Sequence, residues 1–226
     1  MPSDSSVDSA PDAPPRESVV DLLGALAYGE LSAFAHLAAD AELAPTLAGR
    51  RQMSAMAATE LGHHQQLAAR LVELGAAPDE VMAPFIAALE SYHSLTEPST
   101  WLESVVKAYV GDGMAADFYR EVAAFTDDAT AELIGRVLVD AGRAEFAVRE
   151  VQAAIAAQPV VAGRLALWAR RLVGEAISQT QHVLADRDSL TELIVRGAGD
   201  LAGIGSLITR ITDRHAERMT ALGLDS

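Results

Sequence analysis

The sequence predicts an all-α fold, a four-helix bundle with one long crossover plus two C-terminal helices, and three observations predict it. Alanine and leucine dominate long tracts of strong helix formers, with few β-branched residues and few Asn-Gly turn signals. Apolar side chains recur at a three-to-four spacing over segments that end at Pro, Gly or short Asp/Ser links. Between the second and third segments, residues 78–97 hold a shorter helical run that is too long for a tight turn. Such a connection lets the next helix return to a non-neighbouring position.

Residues 1–15 are rich in Pro, Ser, Asp and Ala and bury too little to offset ordering entropy, so a disordered tail is expected there and the helical domain spans 16–226. The first helix starts near Arg16 and runs to about Leu43, with Leu23, Leu26, Glu30, Ala33 and Leu37 on one stripe. Pro45 breaks the chain, and the second helix stops at Gly75, a C-cap. After the crossover, Ser99 or Thr100 with Glu103 forms a capping box. The third helix then follows the stripe Leu102, Val105, Tyr109, Asp112, Ala116, Tyr119 and Ala123. A fourth helix runs from Asp127 or Asp128 to about Ala157, with Leu133, Val137, Asp140, Ala144, Ala147 and Val151 as its best stripe. A rotated stripe with Ile134, Leu138, Ala141, Glu145 and Val148 competes with it. Two more helices, about 160–186 and 188–222, complete the chain.

The second helix carries the main anomaly. On its stripe, Met53, Met56, Glu60, His63, Leu67, Leu71 and Leu74, a carboxylate and an imidazole stand where apolar side chains belong. Glu60 and His63 are spaced i, i+3 and project from one face. Glu-x-x-His aimed into a bundle core is the ligand unit of di-iron and di-manganese carboxylate proteins. Glu30, Asp112 and Asp140 repeat the anomaly on three other helices. A weak duplication accompanies this: Ala-Tyr-Gly-Glu ends at Glu30 and Ala-Tyr-Val-Gly-Asp at Asp112, with Glu60 and Asp140 following 30 and 28 positions later. In the second half Arg143 stands where the pattern expects a second histidine. Carboxylates converging in a dry core need a divalent metal or a cation such as Arg143.

Other residues carry weaker signals. Glu145 replaces or supplements Asp140 if the fourth helix rotates. Glu175 and His182 share a stripe, where a helix-to-helix hydrogen bond is favoured over ligation. His64 reads as a surface residue, and His36, His93 and His215 have no evident partner. Tyr109 and Tyr119 read as packed tyrosines or as walls beside Asp112. Gly29, Gly62, Gly111, Gly113 and Gly142 allow close helix approach or leave room for a pocket.

Bulk properties exclude whole classes. Cysteine is absent, so disulfides, zinc fingers and iron–sulfur clusters are excluded and any metal must use carboxylate and imidazole. A net charge of -15 disfavours broad attraction to nucleic acid or anionic membranes. The first residues lack the basic and apolar regions of a signal peptide, and no later run suits a spanning helix, so a cytoplasmic protein without membrane contact is expected.

At the stretches VVDLLGALAYGEL, MAATELGHH, WLESVVKAYVGDG and ADFYREVAAF the chain resembles the ferritin-like superfamily, and more narrowly the bacterial proteins grouped with the tRNA-modifying hydroxylase MiaE. The broad resemblance covers about residues 17–222. It implies a carboxylate-bridged di-iron centre that uses O2 to hydroxylate tRNA. Glu30, Glu60 and His63 would be the first-pair metal ligands, and Asp112 and Asp140 the second-pair carboxylates. It assigns no separate catalytic residue. Arg143 departs from the pattern, because a permanently charged guanidinium cannot ligate a cation. Two readings follow: an O2-dependent hydroxylase with iron as cofactor and tRNA as substrate, or a non-catalytic module whose degenerate site, metal-free or incomplete, is closed by Arg143 and which associates with itself or another protein. An iron-storage cage is disfavoured by the two extra C-terminal helices.

Overall fold

A computed structural model describes residues 14–139 and 142–225, and all regular structure among them is helical. The expected tail lies almost wholly outside the described residues, as does Asp140. The first helix, α1 (Arg16–Asp40), runs on into a 3-10 turn, Ala41–Leu43. Thr46 then caps α2 (Leu47–Glu73) by accepting a hydrogen bond from the Gly49 N–H at 3.0 Å. At the far end Gly75, with φ 71°, closes α2 as expected. Its N–H reaches Val72 O at 2.8 Å and the Ala76 N–H reaches Leu71 O at 2.9 Å, the paired bonds of a Schellman motif.

The crossover is built from α3 (Pro78–Met82), a 3-10 turn (Ala83–Phe85) and α4 (Ile86–Leu95). Thr100 caps α5 (Trp101–Val106) through the Glu103 N–H at 3.3 Å, and the Glu103 carboxylate accepts from the Ser99 N–H at 2.8 Å. This third rod departs from the single stripe that its sequence predicts. A π-helical turn, Lys107–Gly111, joins α5 to α6 (Asp112–Ala123). The extra residue rotates everything downstream by about 100°, the angle of one residue in a helix. Val105 and Val106 are buried before it, Lys107, Ala108 and Val110 within it, and Asp117, Val122 and Ala123 after it.

The fourth rod is also two pieces, α7 (Asp128–Val137) and α8 (Arg143–Ala157), rather than one helix. Gly142 lies in the left-handed region at φ 89°, which no helical residue adopts, so α8 starts on a new bearing. Each piece finds its own face: Leu133, Ile134 and Val137 are buried on α7, and Phe146, Ala147 and Val151 on α8. Neither predicted stripe holds throughout. Beyond them lie α9 (Val160–Asp186), α10 (Asp188–Ala198) and α11 (Leu201–Leu222). Gly199, at φ 79°, and the Asp200 cap split the last predicted helix in two.

Burial divides the bundle into two apolar clusters. One gathers Val19–Ala27 of α1, Leu67 and Leu71 of α2, Val122 of α6 and Leu133–Val137 of α7. The other gathers Leu37, Met53, Met56, Ala57, Val105, Val106, Phe146 and Val151. The start of α1 shares a cluster with the end of α2, so the pair is antiparallel. Residues 30, 60–63, 112 and 143 fall between the two clusters on all four rods. Arg16–Leu43 is long and apolar enough to cross a membrane by length and composition, although every 18-residue window of it contains the charged Glu30. In this fold half of its apolar window is buried inside the bundle, as the core helix that packs on α2, α3 and α10.

A basic stripe on α11 clamps α6. Asp117 is fully buried; Arg218 donates to it at 2.5 Å, Arg120 at 2.8 Å, and Arg214 lies 3.8 Å away. Glu121 accepts from Arg210 at 2.8 Å and pairs with Arg214 at 2.8 Å, which holds its carboxyl below the usual range. Removing one partner of such a cluster leaves buried charge uncompensated, so Asp117→Ala is expected to cost about 3–5 kcal/mol in denaturant unfolding. Glycines give a second check. A Cβ on Gly24 would meet the Val81 side chain and come within 2.9 Å of its carbonyl oxygen, whereas one on Gly29 meets nothing within 4 Å. Gly24→Ala should destabilise by about 1–3 kcal/mol and Gly29→Ala stabilise by about 0.5–1 kcal/mol, read as opposite shifts in thermal midpoint.

Candidate metal centre

Glu30, midway along α1, and Glu60, midway along α2, enter the boundary between the apolar clusters at 8% and 3% exposure. His63 stands one turn beyond Glu60. Its Nδ1 is 3.3 Å from Glu30 Oε2 and 3.2 Å from Glu60 Oε2. One ligand atom from each of the three residues lies within 4.8 Å of the others. Bonds of about 2.1 Å place neighbouring donors of a tetrahedral or octahedral ion about 3.0–3.4 Å apart. The donor set therefore fits one cation.

Across Glu60 the arrangement differs. Asp112 is the first residue of α6, directly after the π turn, and Arg143 is the first of α8. Arg143 Nη2 donates to Glu60 Oε1, and Nη1 donates to Asp112 Oδ2 at 3.4 Å. Glu60 thus turns one carboxylate oxygen to His63 and the other to the guanidinium. Of the residues singled out as ligands, Glu30, Glu60, His63 and Asp112 share one layer, and Asp140 lies outside the described residues. On the far side of Glu60 from His63, a guanidinium stands in place of any further imidazole or carboxylate ligand among the described residues.

Electrostatics follow from burial. Glu30 is pushed up by desolvation, against the His63 hydrogen bond and charge and the Arg143 charge. Asp112 is pushed up to about 7 by burial, with the Lys107 ammonium opposing. Burial and the Glu30 charge hold the Tyr119 hydroxyl above its ordinary value. Glu60 and Asp112 share the Arg143 guanidinium, and the Lys107 ammonium adds a second positive charge near Asp112. A cavity of about 70 Å³, lined by Gln52, Thr59, Met56, Val139, His63 and Arg143, reaches the centre from beside α2.

Several residues stand elsewhere than the sequence suggests. Glu145 is exposed on α8, which removes it as a substitute for Asp140. On α9 Glu175 is half-buried and His182 exposed, and neither joins the Glu30–Glu60–His63 group. His64 is no free surface residue, since its Nδ1 lies 2.9 Å from Ala27 O and ties α2 to α1. His36 and His93 partner each other, their rings stacked 3.9 Å apart. Among the glycines only Gly111 and Gly113 of those singled out serve close approach, to the Tyr92 hydroxyl and the Arg218 side chain; Gly29, Gly62 and Gly142 meet nothing.

Lys107 escapes sequence reading altogether. It is 4% exposed, and its Nζ donates to Thr96 O at 2.9 Å and lies 5.5 Å from the Tyr92 ring centroid. A lysine defaults to the surface, and only the π turn carries this one inward. Burial lowers its ammonium pKa, against the charges of Asp112, Asp40, Glu97 and Glu90. The Asp40 carboxyl in turn is pushed by burial from 3.8 to about 6, with Lys107 lowering it and Glu97 raising it. A carboxyl raised in the folded state takes up its proton there before the unfolded chain does, so its contribution to stability grows as pH falls through 6 toward 4. Between pH 7 and 5 the denaturation midpoint of wild type should therefore rise relative to that of Asp40→Asn.

No curated protein matches the chain. A family model described as "Ferritin-like domain, actinomycetes" matches residues 14–197, from the residues just before α1 to the last turn of α10. With most of its length covered by that match, and with a helical bundle that carries acids and a histidine in a central layer, the chain belongs to this actinomycete ferritin-like family.

Proposed function

We propose that this protein binds a divalent transition metal through Glu30, Glu60 and His63 and works as an O2-dependent oxidoreductase of the ferritin-like class. The observation that carries the reading is the convergence of two buried carboxylates and one imidazole nitrogen at ligand spacing. Hard oxygen donors with a single imidazole suit iron or manganese better than softer ions. Bound iron would supply one-electron and O2 chemistry. The protein's own part is to hold the donors: α1 and α2 fix the carboxylates, and the cavity beside His63 and Arg143 admits small molecules.

Hydroxylation of tRNA is the finer reading, supported by the resemblance of the four quoted stretches to the MiaE group. The net charge of -15 opposes a tRNA partner. A metal-free helical module is the second reading, favoured by the ion pairs of Arg143 with Glu60 and Asp112.

Calorimetric titration of the chelator-treated chain with Mn(II), and anaerobically with Fe(II), separates these. Saturable binding is expected, weakened more than about tenfold in Glu60→Gln and in His63→Ala. Equal binding by wild type and both variants, or none by wild type, would falsify the metal reading. Oxygen uptake on admitting air to the ferrous protein then tests the oxidoreductase assignment.

A further inference from the structure

We infer that Arg143 is the centre's resident second cation: its guanidinium takes the position of a second metal, so the wild-type site accepts one ion per chain, and Arg143→His opens it to two. The inference rests on the metal reading above and concerns how many ions that site holds. Two observations carry it. Glu60 bridges: Oε2 faces the His63 imidazole that also meets Glu30, while Oε1 accepts from Arg143, so the carboxylate would link a bound ion to the guanidinium. The same guanidinium extends to Asp112, an acid from another rod, joining α2, α6 and α8 as a shared ligand sphere would.

Local backbone makes this position available. α7 ends at Val137 and α8 begins only at Arg143, after Gly142 in the left-handed region, so Arg143 is set on the bearing of the new helix. A guanidinium stays protonated at any working pH and cannot dissociate from the fold, so this half of the centre is neither emptied by chelators nor exchanged. Chemistry that needs two metals is thereby switched off, while chemistry at one ion beside a fixed positive charge remains.

The test loads chelator-treated wild type, Arg143→Lys and Arg143→His with excess Mn(II), removes unbound ion, and counts metal per chain by elemental analysis alongside electron paramagnetic resonance. Expected are one ion per chain with an uncoupled signal in wild type and Arg143→Lys, and two ions with an exchange-coupled signal in Arg143→His. Two coupled ions in wild type overturn the inference and leave the metal reading standing. One ion in both wild type and folded Arg143→His does the same. No ion in any of the three overturns the metal reading itself. If Arg143→His fails to fold, the wild-type count and its coupling decide the matter alone.

Discussion

Carboxylates buried between two apolar clusters must be matched by positive charge, and the centre of this bundle is arranged around that constraint. Each ionised acid withdrawn from water costs several kcal/mol unless an opposite charge and hydrogen bonds replace its hydration. Glu30 and Glu60 meet this with the His63 imidazole and the Arg143 guanidinium; Asp112 meets it with Arg143 and the nearby Lys107. The same rule operates on α6 one turn and more beyond, where Asp117 is fully buried and draws arginines from α6 and α11. These two charged layers differ in kind. Around Asp117 cations are plentiful and the balance is complete within the protein. Around Glu60 the acids share one guanidinium and face one imidazole, the donor set that a bound ion would use.

The helical irregularities deliver these groups. An uninterrupted third rod would carry Val105 and Asp112 on one stripe and leave Lys107 facing away. The π turn inserts one residue between them, bringing Lys107 inside and leaving Asp112 at the start of a reoriented helix. An uninterrupted fourth rod would fix Arg143 by the register of Val137. The break at Gly142 frees it, so α7 packs Ile134 into one cluster while α8 packs Phe146 into the other. The first pair of rods, α1 and α2, has neither irregularity through this layer and presents the more regular half of the centre. The duplication visible in the sequence is therefore broken in the structure at the half that carries arginine.

The sequence by itself determined the helical class, the long crossover, the caps at Thr100 and Gly75, and the placing of Glu30, Glu60 and His63 on inward stripes. It could do so because helix period, capping and i, i+3 spacing are local properties, fixed within a turn or two of chain. Tertiary structure alone decided that Arg143 pairs with Glu60 across 83 positions, that Lys107 is buried and that Asp117 gathers its arginines from α11. Those outcomes turn on the π turn and the break at Gly142, which rotate helix faces by amounts that a periodic pattern cannot encode, and on charge balance among groups distant in sequence. A stripe of apolar residues states which face is buried; only the assembled bundle states which charge each buried acid meets.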